Sequence, residues 1–288
     1  DGAVSVESSS RVASRVLEIG AGGAGLTMDG SVIDVSDGGL LVSGDVSISG
    51  GSEVWLGGLG FDVSGDVALA GTTELTQGSG GLAIGGALSL EDSAEMTLGS
   101  ASVTVGGSVD LGSGTSIGCA PVEEGGFNRV EIEAASLMVA TGASIDVSAK
   151  GYPAKTWRDF DSWAGGPYFG GSHGGIGGVA NDDSEANPVY GLLYDPETPG
   201  AGGSNGAGGG VVRLDIAGTL TVHGEIAARG QSTQGGGAGG SVSIRADIIT
   251  GDGVITAEGG GNNAHGAGSG GRVALLDYTL LAGAFGMD

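Results

Sequence analysis

The sequence predicts an all-β fold, a single-stranded right-handed parallel β-helix, and three observations lead to this prediction. The stretch GDVSISG at 44–50 returns as GDVALAG at 65–71, which indicates a 21-residue repeat. Glycine accounts for 66 of the 288 residues, which suits a fold with many tight turns. The hydrophobic content of 39% is too high for a disordered chain. A repeat of this length is typical of a solenoid.

Apolar pairs form three columns when the sequence is written in rows that match this repeat. Each pair has the form apolar-x-apolar, which in a strand directs two side chains inward and the middle one outward. The first column holds Val46/Ile48, Val67/Leu69, Leu88/Leu90 and Val109/Leu111; the second holds Val54/Leu56, Leu75, Met96/Leu98 and Ile117/Cys119; the third holds Leu40/Val42, Phe61/Val63, Leu82/Ile84 and Val103/Val105. One 21-residue coil is therefore expected to contain three strands, and Cys119 is expected to be a buried thiol.

Glycine marks the corners between these strands. It recurs at 44, 65, 86 and 107, and again at 39, 60 and 81. A chain that turns at the same place in every coil favours this residue there. Right-handed winding is expected because parallel crossover connections are almost always right-handed.

Beyond Pro121 the repeat lengthens to a ~30-residue period, because Val212, Val242 and Val273 begin successive copies. The predicted organisation is an N-terminal cap or joint at 1–20, a β-helix with 21-residue coils at 21–121, and one with ~30-residue coils at 122–288. Three segments interrupt the later copies at the same edge; they are 152–209, 231–239 and 260–270. Insertions at one repeat position stack on one face of a solenoid, which is often the binding face.

The first insertion is rich in aromatic residues and proline. Trp157, Trp163, Tyr168 and Tyr190 lie in it, together with His173, and five of the six prolines lie between 153 and 199. Such a composition indicates an ordered, self-packed loop. The four aromatic rings are candidates for stacking on sugar rings. His173, in Ser-His-Gly-Gly, is either part of the same site or a hydrogen-bonding group in a glycine-rich turn.

Four acidic residues of this loop are candidate ligands for Ca²⁺. They are Asp182, Asp183, Glu185 and Asp195, and calcium takes six to eight oxygen ligands. The sequence has no EF-hand spacing and no calcium-binding nonapeptide array, so solvated surface acids are the alternative interpretation.

The charge balance excludes some partners. The formal net charge is −24, and residues 16–128 contain no Lys or Arg, so we expect no nucleic-acid partner and no membrane insertion. Acidic, thiol-poor chains rich in Gly, Ser and Thr suit the outside of a bacterial cell, and the start at Asp1 fits a processed mature form. Glu53, Glu74 and Glu95 form one outward column, which is interpreted as a hydrated acidic face.

The chain resembles the right-handed parallel β-helix segments of large secreted bacterial surface proteins, such as filamentous adhesins and autotransporter passengers. The resemblance lies in these columns and in two glycine-rich stretches, GGSHGGIGG at 170–178 and GAGGSNGAGGGVVRL at 200–214. The resemblance covers nearly the whole chain. It implies an extracellular or cell-surface location and a role as spacer, adhesin or fibre.

An enzymatic alternative comes from two short motifs. Asn181-Asp182-Asp183 and Ala264-His265-Gly266 are similar to motifs of polysaccharide-degrading β-helices, which use paired carboxylates and a nearby histidine. The aspartates fall in an irregular loop instead of a strand, and no Arg-x-Lys follows. We therefore expect no enzyme and assign no catalytic residue.

The favoured function is a structural rod, either a fibre subunit that polymerises head to tail or a stalk joined to neighbouring solenoid segments; the alternatives are a glycan-binding adhesin and a polysaccharide lyase or hydrolase.

Overall fold

The structure is a computed structural model that describes residues 4–7, 10–13, 16–19, 23–124, 128–163, 166, 168–180, 184–261, 265–276, 279–280 and 286–287. Nearly all regular structure in this part of the chain is β-strand, arranged in two long parallel sheets. The predictions of an all-β fold and of parallel strand pairing are therefore confirmed.

The strands of the region with 21-residue coils are short and follow one another in sets of three. They are β1 (Val4–Glu7), β2 (Arg11–Ala13), β3 (Val16–Ile19), β4 (Leu26–Asp29), β5 (Val32–Val35), β6 (Gly39–Val42), β7 (Val46–Ser49), β8 (Glu53–Leu56), β9 (Gly60–Val63), β10 (Val67–Leu69), β11 (Glu74–Gln77), β12 (Leu82–Ile84), β13 (Leu88–Leu90) and β14 (Glu95–Leu98).

The remaining strands alternate between long and short. They are β15 (Val103–Leu111), β16 (Ser116–Cys119), β17 (Val130–Val139), β18 (Ser144–Asp146), β19 (Thr156–Trp157), β20 (Asp161–Ser162), β21 (Val211–Val222), β22 (Glu225–Ala227), β23 (Ser241–Gly251), β24 (Val254–Thr256), β25 (Arg272–Leu276), β26 (Thr279–Leu280) and β27 (Gly286–Met287), with a 3₁₀ helix at Arg158–Phe160 between β19 and β20.

Strand pairing follows the predicted columns residue by residue. Val46 pairs with Val67, and Val67 pairs with Leu88, so each partner lies one repeat further along the chain. The first column runs through β1, β4, β7, β10 and β13, and the third through β3, β6, β9 and β12. The second column forms a separate sheet, β2-β5-β8-β11-β14-β16-β18-β22-β24-β27. The repeated stretch of the sequence is thus one corner and one strand on successive coils.

The two columns of the larger sheet merge at β15. The first part of this strand pairs with β12 and its last part with β13, so one strand spans both columns across the corner at Gly106 and Gly107. The long strands β17, β21 and β23 continue this pattern. In each of their pairings the register shifts near the position that corresponds to the Gly106–Gly107 corner. Such shifts are typical of β-bulges, which bend a strand without ending it. The lengthened coils therefore contain a long and a short strand, together with the insertions.

The inward side chains form one continuous hydrophobic core between the sheets. It extends from Val6 in β1 to Ala257 beyond β24, and its members include Leu69, Leu88 and Ile145, all fully buried. Cys119 belongs to this core, as predicted from its position in the second column. Burial raises the pKa of its thiol to about 12, so the thiol is neutral at physiological pH.

A column of small residues lies at the corner before the second sheet. Ser52, Thr73 and Thr115 are buried there at intervals that match the repeat. Their hydroxyl groups donate to the carbonyl oxygen of the third residue before them, at 2.6–2.7 Å. Each buried hydroxyl thereby has an acceptor within its own turn, which avoids a buried unsatisfied polar group.

Residues 4–19, within the segment predicted as a cap or joint, contain strands that continue the columns. Val4 of β1 pairs with Leu26, Val12 of β2 with Ile33, and Leu17 of β3 with Leu40. The poor fit of this segment to the repeat reflects its spacing, because the first and third of these pairs are more widely separated in sequence than one 21-residue coil.

Candidate functional site: the aromatic loop and its glycine support

The long insertion is anchored where it leaves the parallel sheets and where it returns to them. It follows β18 and ends before β21; Gly151 N donates to Gly208 O at 2.7 Å, and Gly210 N donates to Val147 O at 2.8 Å. β21, β23 and β25 begin at Val211, Ser241 and Arg272, where the alignment of the copies placed them. The three insertions therefore leave the coils at one edge, as expected from the sequence.

The glycine-rich parts of the three insertions pack into one body, here called the glycine lattice and comprising residues 170–178, 199–210, 230–240, 257–261 and 265–271. Its segments are neither helix nor long strand, yet their amides bond to several different neighbours. Gly171 N donates to Gly236 O, Ser269 N to Gly171 O and Gly209 N to Ala238 O, each at 2.8–2.9 Å. The backbones are thus mutually hydrogen-bonded although most of them are buried.

Glycine is required in this lattice by close backbone approach. A methyl group at Gly237 would lie 1.8 Å from the carbonyl oxygen of Ala207, and one at Gly268 would lie 1.8 Å from that of Gly237. Neither glycine has a positive φ, so turn formation is not the reason for its presence. The run of glycines therefore encodes a packed support for the aromatic loop.

Most of the predicted aromatic residues pack on one another. The rings of Trp157 and Trp163 lie 5.8 Å apart, those of Trp157 and Tyr190 5.7 Å, and those of Tyr152 and Phe160 5.3 Å, all edge to face. Edge-to-face pairs at such distances stabilise a cluster beyond simple burial. Tyr152 and Tyr190 form a second, smaller hydrophobic core with Val122 and Ala201, and Trp157 and Phe160 pack against it.

The two tyrosines of this cluster also have their hydroxyl groups bonded within the chain. Tyr190 donates to Pro199 O at 2.6 Å, and the Tyr152 hydroxyl accepts from Asp159 N at 3.2 Å. Burial raises the pKa of both tyrosines, that of Tyr190 well above its usual value. Tyr190 is only 7% exposed, so its ring is part of the core in this structure and is not presented to a ligand.

His173 is fully buried beneath this cluster. Its Nδ1 lies 2.8 Å from Gly239 O, which can only accept, so Nδ1 carries the proton; Nε2 then accepts from the Thr198 hydroxyl at 3.0 Å. The pKa of His173 is lowered to about 4, chiefly by desolvation and to a smaller extent by the nearby Arg272 guanidinium, while the backbone bond to Gly239 acts in the opposite direction. His173 is thus neutral and joins the loop to the lattice, through partners that lie outside its own glycine-rich turn.

The other predicted sugar-stacking residues are half-buried at the edge of the loop. Trp163 donates from Nε1 to Glu185 O at 2.9 Å. The Tyr168 ring centroid is 4.3 Å from that of His265, whose Nδ1 is buried without a hydrogen-bond partner among the described atoms. Trp157, Trp163 and Tyr168 stay candidates for ligand contact, because part of each ring remains accessible.

The candidate calcium ligands are only partly described. Asp182 and Asp183 lie outside the described residues, as do Asn181 and Ala264 of the two enzyme-like motifs. Asp195 Oδ1 accepts from Ser243 Oγ at 3.2 Å and lies 3.6 Å from Arg213 Nη1. Within the described ranges, no group of three or more His, Cys, Asp and Glu side chains is placed to hold a metal ion. The calcium hypothesis stays a prediction.

Arg213 ties the end of the insertion to the larger sheet. It pairs with Glu131 on the neighbouring strand and with Asp195 and Glu197 in the returning segment. Arg129 pairs in turn with Glu131 at 2.5 Å. These groups are partly exposed, so each pair stabilises little by itself, and their main effect is to position the segment.

One exposed aromatic residue was not singled out from the sequence, although the strand pattern contains its signal. Trp55 is the middle residue between inward Val54 and Leu56, and it is 41% exposed on the outer face of β8. The alternation rule that identified the core places it outside. A second group of exposed apolar residues, Leu192, Leu193 and Tyr194, lies at the tip of the aromatic loop.

Comparison with protein-family models, curated proteins and solved structures gave no match to this chain. Among the residues that the structure describes, no helix has the length and apolar character needed to cross a membrane.

Proposed function

We propose that the chain is a right-handed parallel β-helix, with three strands in each 21-residue coil and wider coils beyond them, and that it acts as a non-enzymatic structural rod, as a surface fibre subunit or stalk outside the cell. The observation that carries the proposal is the uninterrupted pairing of coil on coil. Both sheets pass from the first described coil to the last, over one hydrophobic core. A scaffold of this kind provides length and stiffness, and its outer faces stay free for other contacts.

The rod is held together by two terms that repeat at every coil. Strand pairing adds backbone hydrogen bonds along the axis, and each fully buried leucine or isoleucine contributes roughly 1.5–3 kcal/mol. Because neighbouring coils supply both terms, stability grows with the number of stacked coils. Outward acids such as Glu53, Glu74 and Glu95 pair in register on adjacent strands and form an acidic face. The negative charge of this face on one rod repels the same face of another rod, which opposes sideways association.

The proposed partner is another copy of the chain, joined head to tail, or a neighbouring solenoid segment. Among the described residues, β2 pairs only with β5, and its other edge is available to a further strand. An unpaired parallel edge adds strands readily, and a joint that does not close on itself makes a filament. The resemblance to secreted surface proteins supports the same assembly and the extracellular location.

The first experiment is negative-stain electron microscopy of the purified chain, with calcium and with chelator. Filaments with an axial repeat near the length of one rod are expected, and their loss in chelator would place a cation at the joint. Single short rods under both conditions would reject the fibre-subunit proposal.

A matched pair of variants tests the edge itself. Ala13 is exposed in β2, and Ala13→Pro removes an amide donor from the edge strand, whereas Ala13→Thr keeps the donor and a strand-forming residue. Filaments are expected to shorten only in the proline variant, with unchanged circular dichroism in both. Equal filament lengths in the two variants would place the joint elsewhere.

A glycan-binding role of the aromatic loop is the second candidate, supported by the accessible parts of Trp157 and Trp163. A Trp157→Ala/Trp163→Ala variant with an unchanged glycan-array signal would reject it. The third candidate, polysaccharide cleavage, requires release of reducing ends that is lost in Asp182→Ala and Asp183→Ala; absence of release from any uronan would reject it.

A further inference from the structure

The outer face of the second sheet carries an aromatic surface away from the insertions. Trp55 is 41% exposed there, while its strand neighbours Val54 and Leu56 are buried. The strand is anchored on both sides by parallel pairing, with Asp34 and Thr76 next to Trp55 on the adjacent strands. The indole is therefore held on a rigid support, as binding aromatics require.

A cleft of about 390 Å³ surrounds this ring, and its lining is polar apart from Val32 and the indole. The Trp55 Nε1 donates to Glu53 Oε2 at 3.5 Å. On the other side, the Ser36 hydroxyl donates to Asp34 Oδ1 at 2.7 Å. These contacts place two carboxylates beside the indole, and a carboxylate can accept more than one hydrogen bond.

We propose that this cleft, here called the Trp55 cleft, binds a neutral pyranose ring of a glycan. The apolar C–H face of such a sugar packs on the indole, and its hydroxyl groups donate to Glu53 and Asp34. Hydrogen bonds from hydroxyl donors to carboxylates are stronger than neutral ones. The volume lies within the range of about 300–1,000 Å³ that small-ligand sites occupy.

Charge selects the kind of glycan. Glu53 and Asp34 line the cleft, and Glu74 and Glu95 continue the outward column from Glu53. One basic residue, Arg11, pairs in register with Val32 on the adjacent strand, so acidic residues predominate around the cleft and a uronate or sulfated sugar is repelled. A simple organic cation is the less favoured occupant, because a single exposed ring attracts a cation only weakly. A neutral sugar uses both the apolar surface and the acceptors.

The test is titration calorimetry of the purified chain with hexasaccharides of glucose, mannose, galactose and N-acetylglucosamine. Polygalacturonate and tetramethylammonium chloride serve as charged probes. At least one neutral hexasaccharide is expected to bind, and Trp55→Ala is expected to weaken it by roughly tenfold or more, corresponding to about 1.4 kcal/mol. Trp55→Phe retains a flat ring and should restore most of the affinity.

Tyr194→Ala is the matched control, since this side chain is an exposed aromatic in another part of the molecule. It should leave the affinity unchanged. Absence of binding by every neutral hexasaccharide, or equal affinity in wild type and Trp55→Ala, would overturn the proposal. Binding of tetramethylammonium or polygalacturonate alone would overturn it as well. The cleft lies on the outer face of the second sheet and not at the proposed head-to-tail joint. Its glycan affinity therefore tests this proposal separately from filament formation.

Discussion

Asp45 and Asp66 form one link of a side-chain ladder at the corner between the third and first columns. Asp66 N donates to Asp45 Oδ1 at 3.0 Å, and Ala87 N donates in the same way to Asp66 Oδ1 at 2.8 Å. Each aspartate side chain therefore accepts from a backbone amide of the next coil, in addition to backbone bonds between the coils such as that from Val46 N to Asp66 O at 2.7 Å. The arrangement fixes successive coils in register at a point where the backbone turns.

Removing one of these acceptors should destabilise the rod locally. We expect Asp66→Ala to lower the free energy of unfolding by about 1 kcal/mol, because Ala87 N loses its acceptor. Asp66→Asn keeps the Oδ1 acceptor and should restore most of the loss. The measurement is urea unfolding followed by circular dichroism.

Asp62→Ala controls for the change in net charge, since Asp62 is exposed on β9 and its carboxylate makes no hydrogen bond within the described part of the chain. It should change stability by less than about 0.5 kcal/mol. Equal effects of Asp62→Ala and Asp66→Ala would show that charge, and not the hydrogen bond, is responsible.

The effect of a Gly→Ala substitution on stability should differ sharply between glycines of the lattice. Gly237→Ala places a methyl group 1.8 Å from Ala207 O, so we expect a loss of about 2 kcal/mol or more and a weaker near-ultraviolet circular dichroism signal from the aromatic cluster. Gly270→Ala meets nothing within 4 Å and should be nearly neutral. A neutral Gly237→Ala would contradict close packing in the lattice.

His173 predicts a loss of stability in mild acid. Its pKa falls from 6.5 to about 4 on folding, so the unfolded chain binds the proton more readily. The free energy of unfolding contributed by the neutral imidazole is complete above pH 6.5 and declines as the pH falls towards 4, by about 3 kcal/mol in total. The measurement is chemical denaturation at a series of pH values between 7 and 5.

His173→Gln should be less stable than wild type at pH 7 and should remove most of this pH dependence. His223→Gln should leave it intact, because His223 is 43% exposed and bonded to Asp252. If wild type and His173→Gln gave parallel profiles, another group would be the acid-sensitive one.

Cys119 predicts a protected thiol. Its side chain is 2% exposed, and a rise in pKa from 9.0 to about 12 reduces the thiolate fraction about a thousandfold. Ellman's reagent at pH 8 should label the folded chain far more slowly than the chain in urea. Rapid labelling without denaturant would contradict its position in the core.

The coil pattern could be predicted because every coil repeats the same local rule. In each strand the apolar residues that alternate with polar ones point inward, as Val54 and Leu56 do. The columns and the position of Cys119 therefore follow from spacing alone. The lattice could not be predicted, because the contact between Gly237 and Ala207 joins two insertions whose mutual position no periodicity encodes. His173 shows the same limit: its partners Gly239 and Thr198 lie 66 and 25 residues away in the sequence.

The long insertion also has a kinetic consequence. Up to β17, paired residues on neighbouring coils are only about one repeat apart in the sequence. The next pairing, between Val130 of β17 and Val212 of β21, joins residues that are separated by the whole insertion. Closing a loop about four times the length of a 21-residue coil costs roughly 1.2 kcal/mol more in chain entropy. Coil-by-coil growth from the N-terminal side should therefore slow at this step, and the coils beyond it should form their own nucleus. Folding of the chain is then expected to show two phases, separated at the aromatic loop.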